Sequence, residues 1–184
     1  MKHVEYTQEQ CKKDTMEHIN QVREFMMIVA KHLIDRALIH DQSKLESPEI
    51  EIFTEYTPKL KNSTYGSDKY KGFLKGMGEA LKHHYAHNSH HPEHYKKYVC
   101  NGCFKEFQAM PNHCDVCMYS QFQEESDMKQ MNLLDIVEMF CDWKAATMRH
   151  ADGDIYKSID HNKGRFKYSD DLAAIFRNTA KLFE

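Results

Sequence analysis

From Thr7 to about Leu38 neither glycine nor proline interrupts the chain, and Ile19, Val22, Phe25, Met26, Val29 and Leu33 recur every three or four residues. That period predicts a long helix with one apolar stripe facing a core. Thr7 and Gln10 have the spacing of a capping box at its start. Ser47-Pro48 predicts the N-cap and first residue of a short second helix reaching about Tyr56, with Thr57-Pro58 as its stop. After a polar loop from Lys59 to Gly66, Ser67 caps a helix predicted from about Asp68 to His87. Tyr70, Phe73, Leu74, Met77 and Leu81 share one of its faces, and Gly72 and Gly76 weaken it without ending the pattern. Asn88 to Pro92 breaks it. A further helix, from about Asn132 to His150, keeps Leu134, Val137, Cys141, Ala145 and Met148 in register. Ser169 caps a last one with Leu172, Ile175, Phe176 and Leu182 as its buried face. Between residues 98 and 119 the helical period gives way to clustered Cys, Gly and Pro. The expectation is an all-α domain formed by 1–97 and 120–184, with a small minidomain inserted at 98–119.

Composition supports that outline. Only seven glycines and four prolines occur in 184 residues, too few turn-formers for a sandwich or barrel. A net charge of −3 gives no support for broad nucleic-acid binding. The longest purely apolar run, Phe25 to Ala30, is far too short for a membrane span, and the first residues lack the apolar core of a signal peptide. A cytoplasmic protein is expected.

The cysteines sharpen the picture. Cys100-Asn-Gly-Cys103 and Cys114-Asp-Val-Cys117 are two Cys-x-x-Cys turns, each able to present two thiolates to one ion. Together they predict a closed, structural zinc site rather than a disulfide framework, which an intracellular protein would not keep. Such a zinc knuckle braces loops or contacts protein or nucleic acid, and its sequence does not select among these.

A second donor set is scattered. His18 lies at the edge of the first helix's stripe, and adjacent His40 and Asp41 end that helical segment. Six of the thirteen histidines fall between His83 and His94. Asp135, Glu138 and Asp142 stand at i, i+3 and i+7, on one helical face beside an apolar stripe. Each alone has a bland explanation: a boundary histidine, a helix C-cap, a solvated helix end, a surface charge. Together they suit a transition metal, since imidazole and carboxylate accept Mn, Fe, Co, Ni or Zn.

These residues resemble the HD-domain metal-dependent phosphohydrolases. His18 in Glu-His-Ile-Asn-Gln-Val is similar to that superfamily's early histidine, His40-Asp41 to its central doublet, and Asp142 in Cys-Asp-Trp-Lys-Ala-Ala-Thr to its final aspartate. His40-Asp41-Gln-Ser-Lys44 and His90-His91-Pro-Glu93 resemble segments of the binuclear HD-GYP branch, whose Gly-Tyr-Pro segment is absent here. The strings His-Asp-x-Ser-Lys, His-His-Pro-Glu-His and Glu-Met-x-x-Asp-Trp are similar to a small uncharacterised family of phages and bacteria. The resemblance covers roughly residues 15 to 150 and implies an HD-domain-like helical bundle.

It also implies a centre in which His18, His40, Asp41 and Asp142 hold one divalent ion and His84, His90 and His91 add a second. His83 is the alternative to His84, and Asp41 is the bridging carboxylate. Paired ions activate water for in-line attack on phosphorus. Lys44 would stabilise phosphate charge and Glu138 would orient a ligating imidazole. The implied activity is hydrolysis of a small phosphoester, a nucleotide first. The alternatives are a mixed-valent di-iron oxygenase of the same fold, or a non-enzymatic protein that binds through its zinc ribbon.

Overall fold

α1 spans Gln8–Ile39 in a computed structural model that describes residues 6–64, 67–149 and 153–184. Expectations touching residues 1–5, Gly66 and His150 fall outside that range. The cap of α1 is reciprocal: the Thr7 N–H donates to Gln10 Oε1 at 2.8 Å, and the Gln10 N–H to Thr7 Oγ1 at 3.2 Å. The chain divides at Ile39/His40 into two units, and α1 is the body of the first. A lone helix has no opposing surface. Within that unit α1 buries no residue, and Val22, Phe25, Met26 and Val29 are exposed.

The second unit, His40–Glu184, begins with a 3-10 turn at Gln42–Leu45 and α2 at Glu49–Lys61. α2 does not stop at Thr57-Pro58 but carries Pro58 inside it, and Ser47 gives it no side-chain cap. Proline deletes one N–H from the ladder yet leaves its own carbonyl, which accepts from the Asn62 N–H at 3.3 Å. The segment predicted as one helix from Asp68 to His87 is two, α3 (Asp68–Gly76) and α4 (Gly78–His87), hinged at the buried Met77. Ser67 does cap α3, accepting from the Tyr70 N–H at 3.2 Å. Gly76 lets α2 approach the hinge closely: a Cβ there would lie 2.5 Å from the Tyr56 hydroxyl oxygen, so the Tyr56 ring would have to shift.

The cysteine segment is built on a three-stranded antiparallel sheet ordered β2-β1-β3, with β1 at Lys96–Cys100, β2 at Glu106–Phe107 and β3 at Phe122–Ser126. Tyr98 pairs with Phe107 on one side and Glu124 on the other. The sheet thus reaches residues 96 and 126, beyond the expected limits of 98 and 119.

Three helices close the chain: α5 (Leu133–Thr147), α6 (Ile155–Phe166) and α7 (Asp170–Ala180). They carry the main core of Met139, Phe140, Ile155, Ile159, Tyr168, Ala173, Phe176 and Ala180. Phe140 stacks on Phe176 with centroids 5.2 Å apart, and Trp143 packs against Phe166, Tyr168 and Phe176. The buried stripe of α5 is therefore Ile136, Met139, Phe140 and Trp143, not the predicted Leu134, Val137, Cys141, Ala145 and Met148; Cys141, Ala145 and Met148 are exposed. On α7, Ser169 caps as expected, but Ile175 and Leu182 are exposed while Ala173, Phe176 and Ala180 turn inward. No described helix is long and apolar enough to cross a membrane.

Candidate metal centre

The end of α1's chain segment delivers the first donors. Asp41 adopts φ 56°, a left-handed conformation that costs a non-glycine residue roughly 1–2 kcal/mol. This turn stands His40 and Asp41 side by side ahead of Lys44, whose Nζ donates to Asp41 Oδ2 at 2.5 Å. Burial raises the Asp41 pKa, but the Lys44 ammonium and the adjacent His84 and His40 outweigh it and hold the carboxyl below its ordinary range.

Four imidazoles gather on this carboxylate. His84 projects from the last turn of α4 and lies 3.3 Å from Asp41 Oδ1 through Nε2. His90 Nε2 lies 3.5 Å from the same oxygen. His91 Nε2 is 2.8 Å from His84 Nε2. His40 Nε2 stands 3.4 Å from Asp41 Oδ2 and 3.8 Å from Asp142 Oδ1. Donor atoms of Asp41, His84, His90 and His91 all lie within 4.8 Å of one another, and so do those of His40, Asp41 and Asp142. Asp41 belongs to both groups.

The opposite ring nitrogens are anchored. Glu138 Oε1 accepts from His40 Nδ1 at 2.8 Å and lies 3.1 Å from His90 Nδ1. Glu49, fully buried on α2, accepts from His84 Nδ1 through Oε2 at 2.9 Å and from His83 Nδ1 through Oε1 at 2.7 Å. A carboxylate on Nδ1–H leaves the Nε2 lone pair aimed at the common point, the usual second partner of a metal-ligating histidine. Asp135, also fully buried, accepts from Ser89 Oγ at 2.7 Å, Tyr95 OH at 2.9 Å and the Asn132 N–H at 3.0 Å. It thereby clamps both ends of the segment that carries His90 and His91.

Burial favours the neutral form of two of these rings, His84 and His91. Burial, then the Lys44 charge, lowers the His84 pKa to about 4, and burial with His90 and His84 nearby drives His91 far below the imidazole range. His40 moves up because Glu138 accepts its proton-bearing nitrogen, and burial raises Asp142. Two buried atoms at the focus, Asp41 Oδ1 and His90 Nε2, have no hydrogen-bond partner among the described residues. Leaving such groups unpaired costs about 1–3 kcal/mol each, and a cation satisfies both at once. The residues fit a divalent metal.

Of the residues singled out from sequence, His40, Asp41, Lys44, His84, His90, His91, Glu138 and Asp142 come together. His18 sits exposed on α1, in the other unit, and joins none of these groups among the described residues. His83 reaches Glu49 but not the focus. Glu49 escaped sequence reasoning, since an acidic residue in a helix's first turn is already explained by the helix dipole.

The cysteines form a separate cluster. Sγ atoms of Cys100, Cys103, Cys114 and Cys117 lie within 4.8 Å of one another, with Cys100–Cys117 at 3.5 Å and Cys103–Cys114 at 3.4 Å. A disulfide would bring two sulfurs to about 2.05 Å, whereas a tetrahedral zinc with 2.3 Å bonds has edges of roughly 3.8 Å. The two knuckles repeat one geometry: the Phe104 N–H donates to Cys100 O at 2.9 Å and the Met118 N–H to Cys114 O at 2.8 Å, and both donors have positive φ. Gly102 suits this close packing, since a Cβ would sit 3.1 Å from Cys117 Sγ and press the neighbouring side chains outward. Burial raises the Cys114 thiol, yet the Cys117 and Val116 N–H groups bring it down to about 7, favouring the thiolate that binds metal.

Fold and sites together define a mostly helical protein with a histidine–carboxylate cluster and a four-cysteine cluster, each able to hold metal. A family model described as a family of unknown function (DUF5662) matches residues 7–182, and the chain belongs to that family. No curated protein and no solved structure matches it.

Proposed function

We propose that the protein is a metal-dependent phosphohydrolase of HD-domain type, acting on a phosphoester at the centre built around Asp41. The observation that carries this reading is the pair of unpartnered buried atoms, Asp41 Oδ1 and His90 Nε2, at the point where two donor groups share one carboxylate. Asp41, His84, His90 and His91 would hold one divalent ion, and His40, Asp41 and Asp142 another. Bound there, divalent ions supply Lewis-acid stabilisation of a phosphoryl oxygen and lower the pKa of water.

The chain's own groups do the rest. Glu138 and Glu49 hold three rings with Nδ1 protonated, so no ring must change tautomer when it ligates. Lys44 places a fixed positive charge beside the focus, where it favours an anionic ester and the charge that grows on phosphorus-bound oxygen. A nucleotide is the first substrate to try, because the HD-domain resemblance points to it. Cys100, Cys103, Cys114 and Cys117 would hold a zinc ion that braces the sheet.

The test is metal-stripped protein reloaded with Mn, Co, Ni or Fe and offered p-nitrophenyl phosphate and a nucleotide panel. Metal-dependent phosphate release, abolished by Asp41→Ala in a protein of unchanged circular dichroism, is expected. Iron-dependent oxygen consumption on a small organic substrate, without phosphate release, would instead assign a di-iron oxygenase.

A further inference from the structure

A groove of about 1530 Å³ opens directly onto this centre. Lys44, His84, His91 and Asp142 belong to its wall as well as to the donor cluster, so a phosphoester held at the donors must extend its remaining part into the groove. Sites for small metabolites usually occupy about 300–1,000 Å³, and this one is larger. One stretch of its wall is apolar, formed by Ile50, Phe53, Leu60, Leu74, Met77 and Leu81 from α2, α3, the hinge and α4, while Thr54, Tyr70 and Asn162 are among the polar residues lining the rest. Those six side chains offer no polar atom to the edge of a base or to a sugar hydroxyl; they offer apolar area. The cationic groups Lys61 and Arg149 also line the groove, in a chain whose net charge is −3. Neither has an acidic partner among the described residues.

We propose that the substrate is an amphiphilic phosphoester, with an anionic head at the His/Asp centre beside Lys44 and an extended apolar body along the wall from Ile50 to Leu81. The proposal rests on the phosphohydrolase reading for its head group and adds the chemistry of the body. Burying a methylene gains about 0.8 kcal/mol, which is close to fourfold in affinity.

The experiment is calorimetric titration of the full chain, loaded with Mn²⁺, using methyl-, butyl-, octyl- and dodecylphosphonate below their aggregation thresholds. These non-hydrolysable probes separate binding from turnover. Methylphosphonate should bind weakly, and each added methylene should tighten binding by up to about fourfold until the groove is filled. Ile50→Asp, a change at an exposed rim position, should flatten this dependence and leave methylphosphonate affinity within twofold. A flat series with methylphosphonate still bound overturns the apolar body and leaves the phosphohydrolase reading standing. Failure of every phosphonate to bind overturns both. Octylphosphonate binding that survives metal removal unchanged detaches the groove from the centre and refutes the proposal, as does adenosine monophosphate binding more tightly than dodecylphosphonate.

Discussion

Glu49→Gln tests whether the donor cluster is built by its outer carboxylates. The side chain is fully buried and divides its oxygens between two rings, His83 Nδ1 on Oε1 and His84 Nδ1 on Oε2. Glutamine keeps the shape but offers one acceptor and one donor, so it can serve only one of the two rings in its present tautomer. If the amide nitrogen faces His84, that ring must protonate Nε2, the nitrogen that points at Asp41. Replacing a carboxylate that orients a ligating histidine typically costs 10–100-fold in metal affinity, about 1.4–2.8 kcal/mol. Glu49→Ala is more severe, because it removes the carboxylate from the buried His84 N–H at a cost of about 1–3 kcal/mol, and from the half-exposed His83, and shows as a lower melting temperature. The assay is competitive Co²⁺ titration against a chelator, alongside thermal melts of the metal-free protein. Glu49→Gln should weaken Co²⁺ by 10–100-fold with little change in melting. His83→Ala should weaken it less than threefold, because His83 contacts Glu49 but not the focus. Wild-type affinity in Glu49→Gln, or an equal loss in His83→Ala, would refute the reasoning.

Three further outcomes are expected. Cys100→Ser should abolish zinc binding by the four-cysteine cluster and loosen the sheet, while Co²⁺ titration still reports the His/Asp cluster; loss of metal binding at both clusters together would show that the two sites are one cooperative unit. Phe176→Ala, which removes the ring stacked on Phe140 and touching Trp143 and Tyr168, should cost about 3–5 kcal/mol in denaturant melts, and a loss under 1 kcal/mol would mean the core lies elsewhere. Burial, then Asp160, pushes the Tyr168 hydroxyl up to about 12, and it donates to Ile159 O at 2.6 Å. The unfolded chain releases this proton near pH 10 and the folded chain near 12, so the stability it contributes is complete below pH 10 and is lost as pH rises through 12. Tyr168→Phe should therefore show a shallower fall in stability over that window; parallel curves for the two proteins would exclude this linkage.

Local rules read well where local forces decide. The limits and cap of α1, the caps of α3 and α7, and the two knuckles follow from spacing within four residues, because their partners lie within a turn. The break between α3 and α4 is not readable, since the residue that crowds Gly76, Tyr56, lies on another helix. α6 is not legible because its inward side mixes Ile155 and Ile159 with the polar Asn162, amid a polar sequence. α5 is apolar on more than one face, so its period could not say which face would meet α7 and which would be left exposed.

The sequence by itself determined the chemistry available: four cysteines at knuckle spacing, a His-Asp doublet followed by lysine, a run of histidines, and a helix with Glu138 and Asp142 one turn apart. These are matters of residue type and short spacing, which the chain carries in any conformation. Only the tertiary structure decided which histidine turns inward, that Glu49 grips it, that Asp135 ties Ser89 to Tyr95, and that a large groove with one apolar wall ends at the donors. Those outcomes depend on pairs such as His40 with Glu138, 98 positions apart, and His84 with Glu49, 35 apart. Contacts at that separation form only when packing offsets the loss of chain entropy, and no pattern along the chain encodes that balance residue by residue.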